Sequence, residues 1–242
     1  MIIGRSSILG GAGGAAGWVG KLLALQPSAY YGLQAPAGAT TEPDVSGNNW
    51  PAANYVNNGG LTLGVADNPI LSQPGLTCIQ TLGDGWGGTG GQCLIPGHAG
   101  WRVNNAKPYS LLLWFKKTGG FASGIGGPNV GSWPEVRLSY GNGSDAITVE
   151  FSQDTWGTGL NAPSNQWNML TVVFTATNTY FRVNKTEVAK GAAMPWSSYG
   201  GRNEFGVGYK AVGRAAHIAF WPGREITKAQ SDALYDAATI VK

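Results

Sequence analysis

The sequence predicts an all-β protein, a two-sheet antiparallel jelly-roll sandwich with one short C-terminal helix and an extended N-terminal arm. Turn signals come first: 39 Gly and 13 Pro are spread through 242 residues, and short apolar runs are broken about every ten residues by Gly, Asn and Ser. No long helical pattern precedes residue 228. The third observation is the stretch 216–238, where the period changes. Ile218 and Phe220 alternate with His217 and Trp221 as in a strand, and Pro222-Gly223 stops it. Thr227 and Gln230 then form a capping box, which starts a helix at Lys228 with Leu234, Tyr235 and Ala238 on one side.

Residues 1–24 have their own composition. Gly10 to Gly17 is a Gly/Ala tract, flanked by Ile2, Ile3, Ile8, Leu9, Trp18, Leu22 and Leu23. Gly11-x-Gly13-x-x-Ala16 and Gly20-Lys21 touch two nucleotide-binding patterns, but no βαβ unit surrounds the first and Ala15 and Leu22 spoil the second. Ordering eight such positions costs roughly 1–2 kcal/mol each, and the tract has no side chains to repay that. The arm is therefore expected to bury its flanking apolar residues in a neighbouring chain, as an assembly anchor. It lacks a continuous apolar segment and an Ala-x-Ala site, so no signal peptide is expected. No window approaches the ~18 apolar residues of a membrane span.

From residue 25 onward the strands follow one another. Residues 28–33 read as the first, then 61–65, 77–82 and 91–96, the last two expected to pair. Residues 109–115 are apolar on both faces and should be buried on both. Segments 135–140 and 146–151 alternate cleanly and should form a hairpin across Gly141-Asn142-Gly143, and 167–174 with 179–183 a second. Residues 204–209 lead into the closing strand. So many antiparallel strands need two packed sheets.

Four of these pieces, in order, resemble the laminin-G-like jelly roll of the concanavalin A-like lectin/glucanase superfamily. They are Tyr30 to Asn48, Tyr109 to Lys116 with Trp114, Trp167 to Phe174 followed by Tyr180-Phe181-Arg182-Val183-Asn184, and the closing strand with Ile226-Thr227-x-x-Gln230-x-x-x-Leu234-Tyr235. Two positions depart from the pattern: Asn184-Lys185 stands where the family favours Asp-Gly, and Ser231 where it favours an aliphatic. The resemblance covers residues 25–242 as one domain. It implies a sandwich of about 12 to 14 strands, often carbohydrate-binding, and frequent in secreted and bacteriophage virion proteins.

Charge narrows the partners. Only 12% of residues are charged, about half the roughly 25% usual for soluble proteins. A Gly, Asn, Ser and Thr surface suits neutral ligands or neighbours in an assembly, and the scattered net +3 argues against nucleic acid. Cys78 and Cys93 are read as buried free thiols, with a bridge across a hairpin as the alternative.

For chemistry, glycan hydrolysis needs two carboxylates at a set distance. Glycanases that share the resemblance carry a Glu-x-Asp-x-x-Glu strand, and that string is absent. Glu135 and Glu150 are the best pair, but Arg137 shares their face and an exposed charge cluster is the simpler reading. The expectation is a protein without enzymatic activity. His98 and His217 have no metal-ligand spacing and are read as structural. No cofactor is expected; Asp44, Asp67, Asp84 and Asp145 sit in turns, and the resemblance implies calcium as a candidate without assigning its ligands. Trp114, Trp167 and Trp221 read as core, whereas Trp86, Trp133 and Trp156 read as loop residues that meet a glycan or a protein neighbour. The expected function is a non-enzymatic bacteriophage virion component (decoration, fibre or tail) that self-associates, packs with other virion proteins and touches host glycans. The alternative is a secreted glycan-binding or glycan-cleaving module.

Overall fold

A computed structural model describes residues 17–82, 90–96, 108–119, 124–129, 136–140, 145–151, 154–191, 204–208 and 212–239. At 124–129, 136–140, 149–151, 154–156 and 204 only the backbone is described.

In chain order the elements are α1 (Trp18–Ala24), β1 (Ala29–Tyr31), β2 (Thr41–Glu42), β3 (Ala53–Val56), β4 (Leu61–Val65), β5 (Cys78–Leu82), β6 (Gln92–Pro96), β7 (Tyr109–Lys117) and β8 (Gly124–Asn129). They continue as β9 (Val136–Tyr140), β10 (Ala146–Phe151), β11 (Asp154–Asn161), β12 (Asn168–Phe174), β13 (Asn178–Val183), β14 (Thr186–Gly191), β15 (Glu204–Val207), β16 (Val212–Pro222) and α2 (Lys228–Thr239). The strands form two eight-stranded sheets. One, sheet A, has the order β14-β13-β12-β7-β16-β5-β4, with β1 also paired to β16; sheet B has the order β11-β10-β9-β8-β15-β6-β3-β2. The expected sandwich is therefore the architecture. The hairpins β9–β10 and β12–β13 form as the alternation predicts. The expected pairing of 77–82 with 91–96 does not: β5 lies in sheet A and β6 in sheet B, where β6 pairs with β3 and β15. For the same reason Cys78 and Cys93 belong to different cores and are both free and buried.

Strand β7 shows why both its faces are apolar. Leu111, Leu113 and Phe115 point between the sheets, while Leu112 and Trp114 point outward into a second core. Trp18 and Leu22 of α1, Ile226, and Leu234 and Ala238 of α2 cover that second core. The molecule is thus three layers, helices on sheet A on sheet B.

The capping box is present: the Gln230 N–H donates to Thr227 Oγ1 at 3.2 Å, and the Thr227 N–H donates to Gln230 Oε1 at 2.9 Å. Arg182 on β13 donates to the Ile226 carbonyl at 2.6 Å, and Ser110 on β7 accepts the Ile226 N–H at 2.9 Å. These two bonds fix the approach to α2, which is the physical content of the Arg182 and Ile226 positions. Both departures from the family pattern are compensated. Ser231, fully buried, pairs with Thr171 of β12 at 3.0 Å. Asn184 takes the left-handed turn conformation, φ 56°, that Asn tolerates, and accepts the Met169 N–H at 2.9 Å.

The N-terminal segment corrects an expectation. Trp18 and Leu22 were expected to bury in a neighbouring chain, yet both are buried in their own, on helix α1, with Leu23 packed against the same core. The Trp18 indole N–H donates to the Leu234 carbonyl at 2.8 Å, and the Trp221 indole N–H donates to that of Leu25 at 2.9 Å. The domain therefore begins by residue 18 and not at 25. Ile2, Ile3, Ile8 and Leu9 lie outside the described residues.

His217 sits at the centre of β16 with φ 51°, where the pairing to β7 slips between Ala216 and Ile218. It is a β-bulge. Tyr30 Oη lies 2.8 Å from its Nδ1, and the Trp18 ring packs against it, tilted by 54° at 4.8 Å between ring centroids. Burial pushes the imidazole pKa from 6.5 down to about 3, so the folded chain refuses a proton that the unfolded chain binds. Stability is then highest above pH 6.5 and falls as pH drops through the window between these values, by at most ~1.4 kcal/mol per unit. In urea titrations between pH 7.5 and 5, His217→Asn, which tolerates the positive φ, should flatten that fall. Equal slopes in both proteins would assign it to other groups. Trp18→Ala should lower stability by about 3–5 kcal/mol, measured by the same titrations; no loss would mean that α1 is not an integral element.

Candidate functional site

Of the three tryptophans singled out for ligand contact, Trp156 lies among the described residues. Trp86 and Trp133 lie outside the described residues. Trp156 is not in a loop: it is on β11, an edge strand of sheet B, in register with Val149.

Of the carboxylate pair, Glu135 lies outside the described residues and Glu150 is directly opposite Arg137 in the β9–β10 register. His98 and Asp84 also lie outside them. Among the described residues no three His, Cys, Asp or Glu come together as a metal site. Asp44 accepts the N–H groups of Tyr30, Ser46 and Trp50 at 2.9–3.1 Å, so donors and not further oxygen ligands face it. Asp145 accepts from Ser164 and pairs with Lys117 at 3.6 Å. The Ser164 hydrogen bond, with Lys117 adding to it, holds its carboxyl below the usual range. Burial pushes the Cys78 thiol up to about 12, so it is no nucleophile at neutral pH.

Beyond the helix layer, the outer face of sheet A carries a polar row. Thr62 on β4 is in register with Gln80 on β5, Gln80 with Arg214 on β16, and Arg214 with Lys116 on β7; Trp167 continues the row ahead of β12. Because side chains alternate, these residues share the face of Cys78, Ala216 and Trp114, one step past the edge of the helices. At ~4.8 Å per strand the row is about 19 Å long. Gly213 lets β16 and β7 run this close, since a Cβ there would meet the Lys116 carbonyl at 2.4 Å.

Asp67, just after β4, ties the row together. It accepts Lys116 Nζ at 3.0 Å, the Trp167 indole N–H at 2.9 Å and a guanidinium N–H of Arg214. Arg214 also donates through Nε to Gln80 Oε1 at 3.2 Å. Partial burial of Asp67 works to raise its pKa, but hydrogen bonds from Trp167, Lys116 and Arg214 outweigh it and hold the carboxyl below its ordinary value. The side chains of Lys116, Arg214 and Asp67 remain 21–26% exposed. Sequence reading missed this cluster. It placed Trp167 in the core, against which the ring does pack, Asp67 in a turn and Lys116 at a strand end, and only the register brings them together.

No family model matches the chain, and no curated protein matches it in sequence. Solved structures do share the fold. One is domain 4 of AbnA, a GH43 extracellular arabinanase from Geobacillus stearothermophilus in complex with arabinotriose; at 17% identity and TM-score 0.54 the match covers 87% of this chain and 98% of that one. The botulinum neurotoxin serotype C1 binding domain matches at 10% identity and TM-score 0.61, over 89% of this chain and 53% of that one. A mutant Trypanosoma rangeli sialidase with trans-sialidase activity matches at 12% identity and TM-score 0.59, over 90% of this chain; this chain spans only 34% of the sialidase.

These likenesses correct one expectation. The missing Glu-x-Asp-x-x-Glu string was taken to exclude enzymatic activity, but several sialidase structures contain this fold. The string marks one group of glycanases, and its absence does not exclude glycan chemistry on this architecture.

Removing Asp67 should expose how much the row depends on it. Asp67→Ala leaves two cations and an indole N–H without their acceptor, and should cost about 1–2 kcal/mol in thermal or urea unfolding. A change within a few tenths would mean that the row is held by its strands alone.

Proposed function

We propose that the chain is a glycan-binding β-sandwich module whose binding surface is the polar row on sheet A. The observation that carries the reading is the nearly coextensive match to an arabinanase domain in complex with arabinotriose, which puts a saccharide on a domain of this fold and size. The row supplies suitable chemistry: amide, guanidinium and ammonium donors, a carboxylate acceptor, and a half-buried indole ring at one end. Saccharide sites combine a few placed polar groups with an aromatic face.

A virion anchor has less support than the composition of residues 1–24 indicated. Trp18, Leu22 and Leu23, three of its intended contacts, are spent inside the domain.

A panel of immobilised neutral and acidic oligosaccharides, with arabino-oligosaccharides included, tests the proposal. Saturable binding is expected for at least one class. Trp167→Ala should weaken it about tenfold, the order of one aromatic contact, whereas Trp167→Phe, which keeps a ring, should retain most of it. Binding by none of the panel at millimolar concentration would overturn the reading.

A further inference from the structure

We infer that the polar row recognises the carboxylate of an acidic saccharide, an inference that rests on the glycan-binding reading above. Charge is the reason. Among the described residues, Arg182 pairs with Glu187, Lys185 with Asp236 and Lys228 with Asp232, one cation to one carboxylate. In the row, Lys116 and Arg214 share Asp67 alone. One positive charge is therefore uncompensated within the cluster, at the edge of a face that is otherwise apolar and covered by helices.

The geometry directs that charge outward. Lys116 and Arg214 are cross-strand partners on adjacent strands, so their heads lie side by side. Asp67 engages one ammonium hydrogen of Lys116 and one guanidinium terminus of Arg214, and Gln80 takes the Arg214 Nε–H. The second guanidinium terminus and the remaining ammonium hydrogens are left for a ligand, and both side chains are 21–26% exposed. A carboxylate placed across them would accept from both heads, a charge-assisted arrangement stronger than a neutral contact. The sugar ring that carries it would lie along the row toward Trp167 on one side, or toward Gln80 and Thr62 on the other. A neutral saccharide would leave the excess cation unmatched.

Matched probes separate charge from sugar. Trigalacturonate and a sialylated trisaccharide, each against its methyl ester, are titrated into the full chain by calorimetry at low and high salt. At least one acid should bind about tenfold more tightly than its ester at low salt, and the gap should narrow as salt rises; which acid does so distinguishes a uronate from a sialic acid ligand. Lys116→Gln and Arg214→Gln should each abolish the preference for acid over ester.

The sharpest arm is Asp67→Asn. It keeps an oxygen for the Trp167 indole but removes the competing negative charge, so the ratio of acid to ester affinity should rise several-fold. A fall in that ratio with the fold intact by circular dichroism would overturn the inference. Equal binding of acid and ester, insensitive to Lys116→Gln and Arg214→Gln, would overturn it and leave the glycan-binding reading standing. Failure of every saccharide to bind would remove both.

Discussion

Strand β16 holds sheet A together, and its pairing depends on one residue. Along one edge it bonds to β7 over its whole length; along the other it serves β5 with residues 212–215 and β1 with residues 218–220. The handover falls at His217, whose N–H leaves the ladder and donates to the Gly32 carbonyl at 3.0 Å. The bulge puts both Ala216 and His217 on the helix side before the alternation resumes at Ile218. A left-handed backbone at a non-glycine residue costs roughly 1–2 kcal/mol, and here it is held by the Tyr30 hydrogen bond and the tilted contact with the Trp18 ring.

The consequence is a sheet whose outer face changes character along its strands. Around the bulge it is apolar and sealed by α1 and α2. One alternation step further it is a row of polar and charged groups, because the helices stop there and side chains that face water must be hydrated. Burial of β7 on both faces is thus only partial along its length: Leu112 and Trp114 lie under helices, Lys116 does not. The candidate site exists because the helix layer is shorter than the sheet it covers.

Much of this was legible in the chain. The β-class followed from turn spacing, the double burial of β7 from an unbroken apolar run, and α2 from a capping box whose two bonds are both made. Helix α1 was not legible, since its N-cap is Gly17 without a capping side chain and it is only 7 residues long; burial of Trp18 and Leu22, not propensity, holds it. The pairing of β6 was misread because neighbours in sequence were taken as neighbours in the sheet, while here the chain crosses between sheets after β5. The polar row was invisible for a related reason. Gln80, Lys116 and Arg214 are far apart in sequence and meet only through register, which no local pattern encodes. Trp167 read as core and does pack against the outer core, but its polar partner Asp67 comes from a turn a hundred residues away.

The location of the site is open to a direct spectroscopic test. In a nitrogen-15 correlation spectrum each tryptophan indole N–H gives its own signal, and Trp167 donates that hydrogen to Asp67 at the centre of the cluster. Titration with a bound saccharide should shift the Trp167 indole signal, while those of Trp18, Trp114 and Trp221, buried beneath the helix layer, stay in place. Shifts confined to Trp156, on β11 of sheet B, with Trp167 unmoved, would contradict the assignment to sheet A.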